Sequence, residues 1–174
     1  MKIVVLGIGN LLVSDEGFGV QVVKIMQQHF VFPSRVSIVD GGTLGWELLP
    51  VMEEADAIII VDAISGGKEP GTVYQFTGEK VQAYFKQKIS AHEAGIQEVL
   101  AYLTMKGKTF QHIAVIGVEP RSFEPGLNLS PEVKETVPGV IHTILQMLQT
   151  WGVSIPEAPP VNQKLDHYLR EMRP

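Results

Sequence analysis

The feature that most constrains the fold is an alternation of short apolar runs, rich in β-branched residues, with stretches of helical periodicity. Strands are predicted at residues 2–6, 36–39, 57–61, 72–77 and 111–117. Helices are predicted at 17–30, 44–54 and 79–87, and from residues 90 and 130 onward. Strands that alternate with helices form a mainly parallel sheet covered on both faces. We therefore expect an α/β fold, a single three-layer sandwich around a mostly parallel, twisted sheet of about five strands.

The length of 174 residues fits one domain. We assign this domain to residues 1–152, because the helical pattern lapses at Gly152 and Pro156, Pro159 and Pro160 follow soon after. Residues 153–174 then form a C-terminal tail. Apolar residues recur at helical spacing in the tail, which favours either a short docked helix or a frayed end.

Composition excludes several functional classes. The net charge is −5 and no basic stripe occurs, so we expect no nucleic-acid partner. The longest apolar runs are far too short to cross a bilayer, and no signal-peptide pattern precedes the first strand. The absence of cysteine excludes disulfides, thiolate ligands and cysteine nucleophiles. A cytoplasmic protein without membrane insertion is the expectation.

Acidic residues follow three successive predicted strands. Asp15 and Glu16 follow the first strand, Asp40 the second and Asp62 the third. In a parallel sheet these strand ends meet at one edge, where ligands bind. His92, at the start of a later helix, adds an imidazole. Carboxylates and an imidazole suit a divalent cation that keeps open positions for water or substrate.

Each of these residues also has a structural interpretation. Asp62 can cap the next helix or order a turn as well as bind a ligand. Glu16 gains from the helix dipole in any case, and His92 in a capping box is also typical of a surface histidine. The glycines at 41 and 42 indicate that something approaches the backbone beside Asp40. At this point the sequence leaves both kinds of role open.

The opening turn also begins a dinucleotide-binding pattern. Gly7-Ile8-Gly9 follows a strand, and Asp40 ends the second strand, where a ribose-binding acid belongs. However, Leu12 occupies the third glycine position, and two acids lie where a pyrophosphate would bind. No G-x-S-x-G elbow or H-E-x-x-H helix occurs, so serine-hydrolase and common zinc-protease mechanisms lack support.

Several short segments together resemble the nickel–iron hydrogenase maturation endopeptidases over roughly residues 2 to 150. Their order and spacing match the family. The segments are Gly7-Ile8-Gly9-Asn10, Asp15-Glu16-Gly17-Phe18-Gly19, Asp40-Gly41-Gly42-Thr43-Leu44-Gly45, Val61-Asp62-Ala63, Ser90-Ala91-His92-Glu93, Ile116-Gly117-Val118-Glu119-Pro120 and Leu129-Ser130-Pro131. The family commonly has Gln at the position of Glu119, which leaves the role of that position open.

The resemblance implies an endopeptidase whose protease domain is residues 1–152. Family members remove a C-terminal extension from the hydrogenase large-subunit precursor once nickel has been inserted. Their metal-binding residues correspond here to Glu16, Asp62 and His92, which makes Asp15 a helix-start acid beside the site. The nickel is expected to come from the substrate, although another divalent cation could occupy the site. The expected partner is the precursor, and the expected oligomeric state is a monomer.

Without a cysteine or an activated serine, peptide cleavage is expected to use water and to depend on carboxylates. A bound metal could polarise the scissile carbonyl or lower the pKa of water toward ~7. Asp40 is the candidate catalytic residue, as a general base or as a carboxylate that orients the metal ligands. Two alternatives remain: a metal-dependent chaperone that binds the precursor without cleaving it, and a nucleotide-binding oxidoreductase.

Overall fold

The computed structural model of the protein describes residues 1–87 and 91–155, except the side chains of residues 86–87 and 91–94. It contains one sheet of five strands in the order β2-β1-β3-β5-β4. Neighbouring strands are parallel except for β4, which pairs antiparallel with β5 at one edge. The mostly parallel sheet of about five strands is confirmed. The strands are β1 (Ile3–Ile8), β2 (Val36–Gly42), β3 (Ala57–Ala63), β4 (Val73–Thr77) and β5 (His112–Val118).

Six α-helices and two short 3₁₀ helices connect or follow the strands in the described part of the chain. The 3₁₀ helices are Ser14–Gly17 and Trp46–Leu48. None of the described helices is long and apolar enough to span a membrane. The α-helices are α1 (Phe18–His29), α2 (Leu49–Glu54), α3 (Glu79–Gln87), α4 (Ala91–Met105), α5 (Pro131–Lys134) and α6 (Val137–Thr150).

The long final helix predicted from residue 130 is two helices in the structure. The break lies at Glu135 and Thr136, between α5 and α6. Pro138 lies in the first turn of α6. Proline is tolerated there because the first-turn N–H groups have no partner within the helix.

The two faces of the sheet are covered by different helices. Alternate residues of β1 point to opposite faces: Val5 packs with α1 and α6, whereas Leu6 packs with α2, α3 and α4. Both faces are therefore apolar cores, which confirms the three-layer sandwich. Val153 is buried in the first core, so packing continues past α6. The predicted helix within residues 161–172 lies outside the described residues.

The strand order creates a crevice at the carboxyl edge of the sheet. β1 lies between β2 and β3, so the connections after β1 and β2 run to opposite sides of β1. Parallel sheets bind ligands where the strand order reverses in this way. Residues that follow β1 and end β3 are thus placed at the opening of this crevice.

Candidate functional site

The segment after β1 is pressed closely onto the ends of two strands. A Cβ atom on Gly9, whose φ is +132°, would lie 1.8 Å from the carbonyl oxygen of Glu16. A Cβ atom on Gly19 would lie 2.1 Å from the carbonyl oxygen of Val61. Side chains at either position would push the 3₁₀ helix and α1 away from the sheet. These glycines therefore serve helix–sheet packing, and the backbone of Glu16 occupies the side of Gly9 where a Cβ would lie.

This packing brings Glu16 and Asp62 to the crevice. Glu16 is half-buried in the 3₁₀ helix Ser14–Gly17, which contacts β3. Asp62, the second-last residue of β3, is 8% exposed, and its Oδ1 accepts a hydrogen bond from the N–H of Ala63 at 2.8 Å. A loop and the antiparallel strand β4 follow, so the helix-cap interpretation of Asp62 is wrong.

His92 lies in the first turn of α4, but its side chain is outside the described part of the structure. Among the described side chains, no group of three histidine, aspartate or glutamate residues could hold a metal ion. The structure therefore supplies the positions of two carboxylates, Glu16 and Asp62. The three-residue ligand set remains a prediction.

Asp40 lies on the opposite side of β1 from Asp62. It pairs with Gly7 of β1, and its exposed carboxylate accepts a hydrogen bond from the N–H of Gly42 at 3.1 Å. Its other oxygen lies 3.5 Å from the Nζ of Lys24. Two strand spacings, about 10 Å, separate the backbones of β2 and β3. The role of Asp40 as a general base remains a prediction.

The glycines beside Asp40 are explained by packing at Gly41 and by backbone conformation at Gly42. A Cβ atom on Gly41 would lie 2.7 Å from the Cδ1 of Leu6, and Gly42 has a φ of +46°. The approach to the backbone predicted here is therefore made by the neighbouring strand β1.

Asp15 has a role that the sequence did not indicate. Its carboxylate is fully buried and accepts four hydrogen bonds from the loop that precedes α5. Oδ1 accepts from the N–H of Ser130 at 2.7 Å. Oδ2 accepts from the N–H groups of Arg121 at 2.8 Å and Ser122 at 3.1 Å, and from the Oγ of Ser130 at 2.9 Å. Asp15 thus fixes a distant loop, and describing it as a helix-start acid misses this role.

The same contacts define the role of Ser130. It occupies the N-cap position of α5, but its side chain makes no capping hydrogen bond. Its hydroxyl donates to Asp15 instead. No sequence signal could have found this pair, because the residues are 115 positions apart.

Glu119 is a second buried carboxylate that fixes a loop. It is 6% exposed and accepts hydrogen bonds from the N–H groups of Gly66, Gly67 and Lys68 and from the Tyr74 hydroxyl. Burial favours its neutral form, but these hydrogen bonds outweigh burial and lower the pKa of Glu119. Burial, then the hydrogen bond to Glu119 and its negative charge, raise the pKa of Tyr74 to about 12. The position left open by the sequence therefore orders the loop between β3 and β4.

Comparison with known proteins gives a consistent result. The family model for hydrogenase maturation proteases, HycI, matches residues 20–147. The chain is 40% identical over 154 residues to the hydrogenase 2 maturation protease of Escherichia coli K12, covering 88% of this chain and 94% of that protein. It is also 40% identical over 154 residues to the hydrogenase expression/formation protein HupD of Thiocapsa roseopersicina, covering 87% and 70%.

Solved structures of hydrogenase maturation proteases have the same fold as this chain. The hydrogenase maturating endopeptidase HybD from E. coli superposes with a TM-score of 0.85 at 39% identity, over 89% of this chain and 96% of that chain. The [NiFe] hydrogenase maturation protease HybD from Thermococcus kodakarensis gives a TM-score of 0.71 at 27% identity, over 84% and 99%.

Proposed function

This chain belongs to the hydrogenase maturation protease family, and on that premise we propose that it removes the C-terminal extension from the large-subunit precursor of a nickel–iron hydrogenase. Its reaction class is endopeptidase. The observation that carries the proposal is the position of Glu16 and Asp62. These carboxylates lie on neighbouring segments at the reversal of strand order, where parallel sheets bind their ligands.

The proposed recognition element is the nickel that the precursor already contains. Carboxylate oxygens and imidazole nitrogens are suitable ligands for a borderline divalent cation. Glu16 and Asp62 would supply the oxygens, and His92, near the start of α4, is the proposed nitrogen ligand. Because the metal arrives with the substrate, binding would be restricted to precursors in which nickel has been inserted.

Within this proposal, the bound metal would withdraw electron density from the scissile carbonyl, and the protein would position water for attack. Asp40 is the proposed general base. Its carboxylate lies across β1 from Asp62 and is oriented by the N–H of Gly42 and by Lys24. A base must reach the attacking water directly or through one further water. The precursor would therefore have to lie across the end of β1, between these two strands.

The test is mass spectrometry of the large subunit after incubation with the purified protein. Nickel-loaded precursor is expected to lose the mass of its C-terminal extension, whereas nickel-free precursor remains uncut. Glu16→Ala, Asp62→Ala and His92→Ala are expected to abolish the mass change. Full processing by Glu16→Ala and His92→Ala would refute metal recognition, and binding without any mass change would favour the chaperone alternative.

A monomeric protein that acts in the cytoplasm is part of the same proposal. Light scattering of the purified protein tests the first point. Cell fractionation followed by detection of the protein tests the second.

A further inference from the structure

Two loops at the carboxyl edge of the sheet pair with each other beside Glu16. The first, residues 10–14, follows β1, and the second, residues 121–130, follows β5; together we call them the paired loops. The N–H of Ser14 donates to the carbonyl of Gly126 at 2.8 Å, and the N–H of Gly126 donates to the carbonyl of Leu12 at 2.9 Å. The Oγ of Ser14 donates to the carbonyl of Glu124 at 2.7 Å. The backbone of the paired loops is therefore ordered.

Asp15 connects this ordered backbone to the candidate site. It follows the first loop directly, and its four hydrogen bonds hold both ends of the second loop. The next residue is Glu16. The paired loops and Glu16 are consequently held in one arrangement, so a partner bound to the loops would lie at a defined place relative to the crevice.

The paired loops present large apolar side chains to solvent. Leu12, Phe123 and Leu127 are 66%, 49% and 67% exposed. Such exposure contributes little to folding, because the apolar area remains in water. Apolar side chains on an ordered backbone instead favour binding, because little conformational entropy is lost when a partner covers them.

We propose that the paired loops are a docking surface for the hydrogenase large-subunit precursor, binding an apolar patch of the precursor next to the segment that is cut. This inference rests on the proposed function for the identity of the partner. The paired loops are continuous with the candidate site: Leu12 and Glu16 are four residues apart, and both loops leave the sheet at the edge where Asp62 lies. A precursor bound in the crevice would therefore lie beside the paired loops.

The chain offers a matched control for this surface. Val31 and Met105 are also large and apolar, and they are 79% and 87% exposed. Val31 follows α1, and Met105 ends α4; both precede strands that start at the amino edge of the sheet. They share the chemistry of the docking residues but lie at the opposite edge from the candidate site.

The experiment compares three proteins: wild type, the triple variant Leu12→Ser/Phe123→Ser/Leu127→Ser and the control variant Val31→Ser/Met105→Ser. Thermal unfolding first checks that all three are folded; exposed positions rarely change stability by more than about 0.5 kcal/mol. Nickel-loaded precursor is then titrated to measure its Kd by biolayer interferometry and its KM and kcat by mass spectrometry. The triple variant is expected to raise Kd and KM about 10-fold, with kcat unchanged and the control variant equal to wild type.

The outcomes separate the docking surface from the proposed function. If wild type binds the precursor without cutting it and the triple variant binds about 10-fold more weakly, the proposed function fails and the docking surface stands. Equal Kd values for wild type and triple variant overturn the docking surface even if cleavage is normal.

If the Kd values are equal, a lower dimer fraction in the triple variant than in wild type assigns the surface to a second copy of the chain. Faster proteolysis of residues 156–174 in the triple variant than in wild type assigns the surface to the chain's own C-terminal segment. Absence of precursor binding by wild type also overturns it.

Discussion

Asp15 and Glu16 are consecutive acids in one 3₁₀ helix, and the fold places them in different surroundings. Asp15 is fully buried and accepts four hydrogen bonds from a loop more than 100 residues away. Glu16 is half-buried at the crevice between β1 and β3. The first of these neighbouring carboxylates therefore stabilises loop structure, whereas the second is the one proposed to bind the metal.

The difference shows what a buried carboxylate requires. An ionised carboxylate leaves water only if hydrogen bonds replace its hydration. Asp15 meets this requirement with three backbone N–H groups and the Ser130 hydroxyl, and Glu119 meets it with three backbone N–H groups and the Tyr74 hydroxyl. Both therefore act as structural acids. Substitutions at these acids are therefore expected to act on stability, and substitutions at Glu16 on activity.

Asp15→Asn is expected to give the largest effect on stability. Both carboxylate oxygens accept hydrogen bonds, so in either amide orientation the new NH₂ group faces a buried N–H donor. Loss of charge-assisted bonds and a buried donor–donor contact should lower the free energy of unfolding by about 3 kcal/mol. Urea denaturation measures the change.

Two control variants set the scale for Asp15→Asn. Ser130→Ala removes one hydroxyl donor and should cost about 1 kcal/mol. Glu54→Gln alters an exposed acid paired with Lys2 and should change stability by no more than about 0.5 kcal/mol. Equal stabilities of Asp15→Asn and wild type would show that Asp15 does not fix the loop.

Glu16→Gln makes the same chemical change one residue later, and its expected effect falls on activity. Removing this proposed metal ligand should lower kcat/KM for nickel-loaded precursor at least about 100-fold, equivalent to about 2.7 kcal/mol. The free energy of unfolding should stay within about 0.5 kcal/mol of wild type. Processing kinetics and urea denaturation of one preparation test both statements. An active Glu16→Gln that unfolds early would reverse the roles assigned to the two acids.

Much of the fold is predictable from the sequence because strands and helices depend on local patterns. The period of apolar residues predicts the five strands, and α3 occupies the predicted residues 79–87. The break between α5 and α6 was not predicted, because Pro138 is compatible with both a bend and a first helical turn. Local chemistry at that point does not distinguish the two outcomes.

The site is less predictable because its contacts join distant parts of the chain. The edge of the sheet that carries Glu16 and Asp62 follows from strand ends alone. The partners of Asp15 lie 106 to 115 positions away, and that of Glu119 on β4 lies 45 away. Nothing in a local pattern distinguishes a carboxylate that accepts four hydrogen bonds from one that faces a crevice.

Tyr74→Phe extends the comparison to the second structural acid. The variant removes a hydroxyl donor from Glu119 and should lower the free energy of unfolding by about 2 kcal/mol at neutral pH. Because the pKa of Tyr74 is raised to about 12, its contribution is complete below pH 10 and is lost as the pH rises toward 12. Wild type should therefore lose more stability than Tyr74→Phe across that interval. Parallel losses in urea denaturation would contradict the pairing.

Glu119→Gln should have a smaller effect than Asp15→Asn or Tyr74→Phe, because the two oxygens of Glu119 accept different numbers of hydrogen bonds. Oε2 accepts from Tyr74 and from the N–H groups of Gly66 and Lys68. Within the described part of the chain, Oε1 accepts only the 3.3 Å bond from the N–H of Gly67. A glutamine with its oxygen at the Oε2 position keeps three of these bonds. We expect a loss of about 1 kcal/mol, less than for Asp15→Asn.

The pH dependence of the stability difference between wild type and Glu119→Gln tests the charge of Glu119 more directly than the difference at neutral pH. Because the pKa of Glu119 is lowered, its stabilisation is complete above the ordinary value of 4.5 and disappears as the pH falls through the lowered pKa. The stability difference between wild type and Glu119→Gln should therefore shrink on acidification below pH 4.5. A constant difference would mean that the charge of Glu119 contributes nothing. Glu119 would then stabilise the loop between β3 and β4 through hydrogen-bond geometry alone.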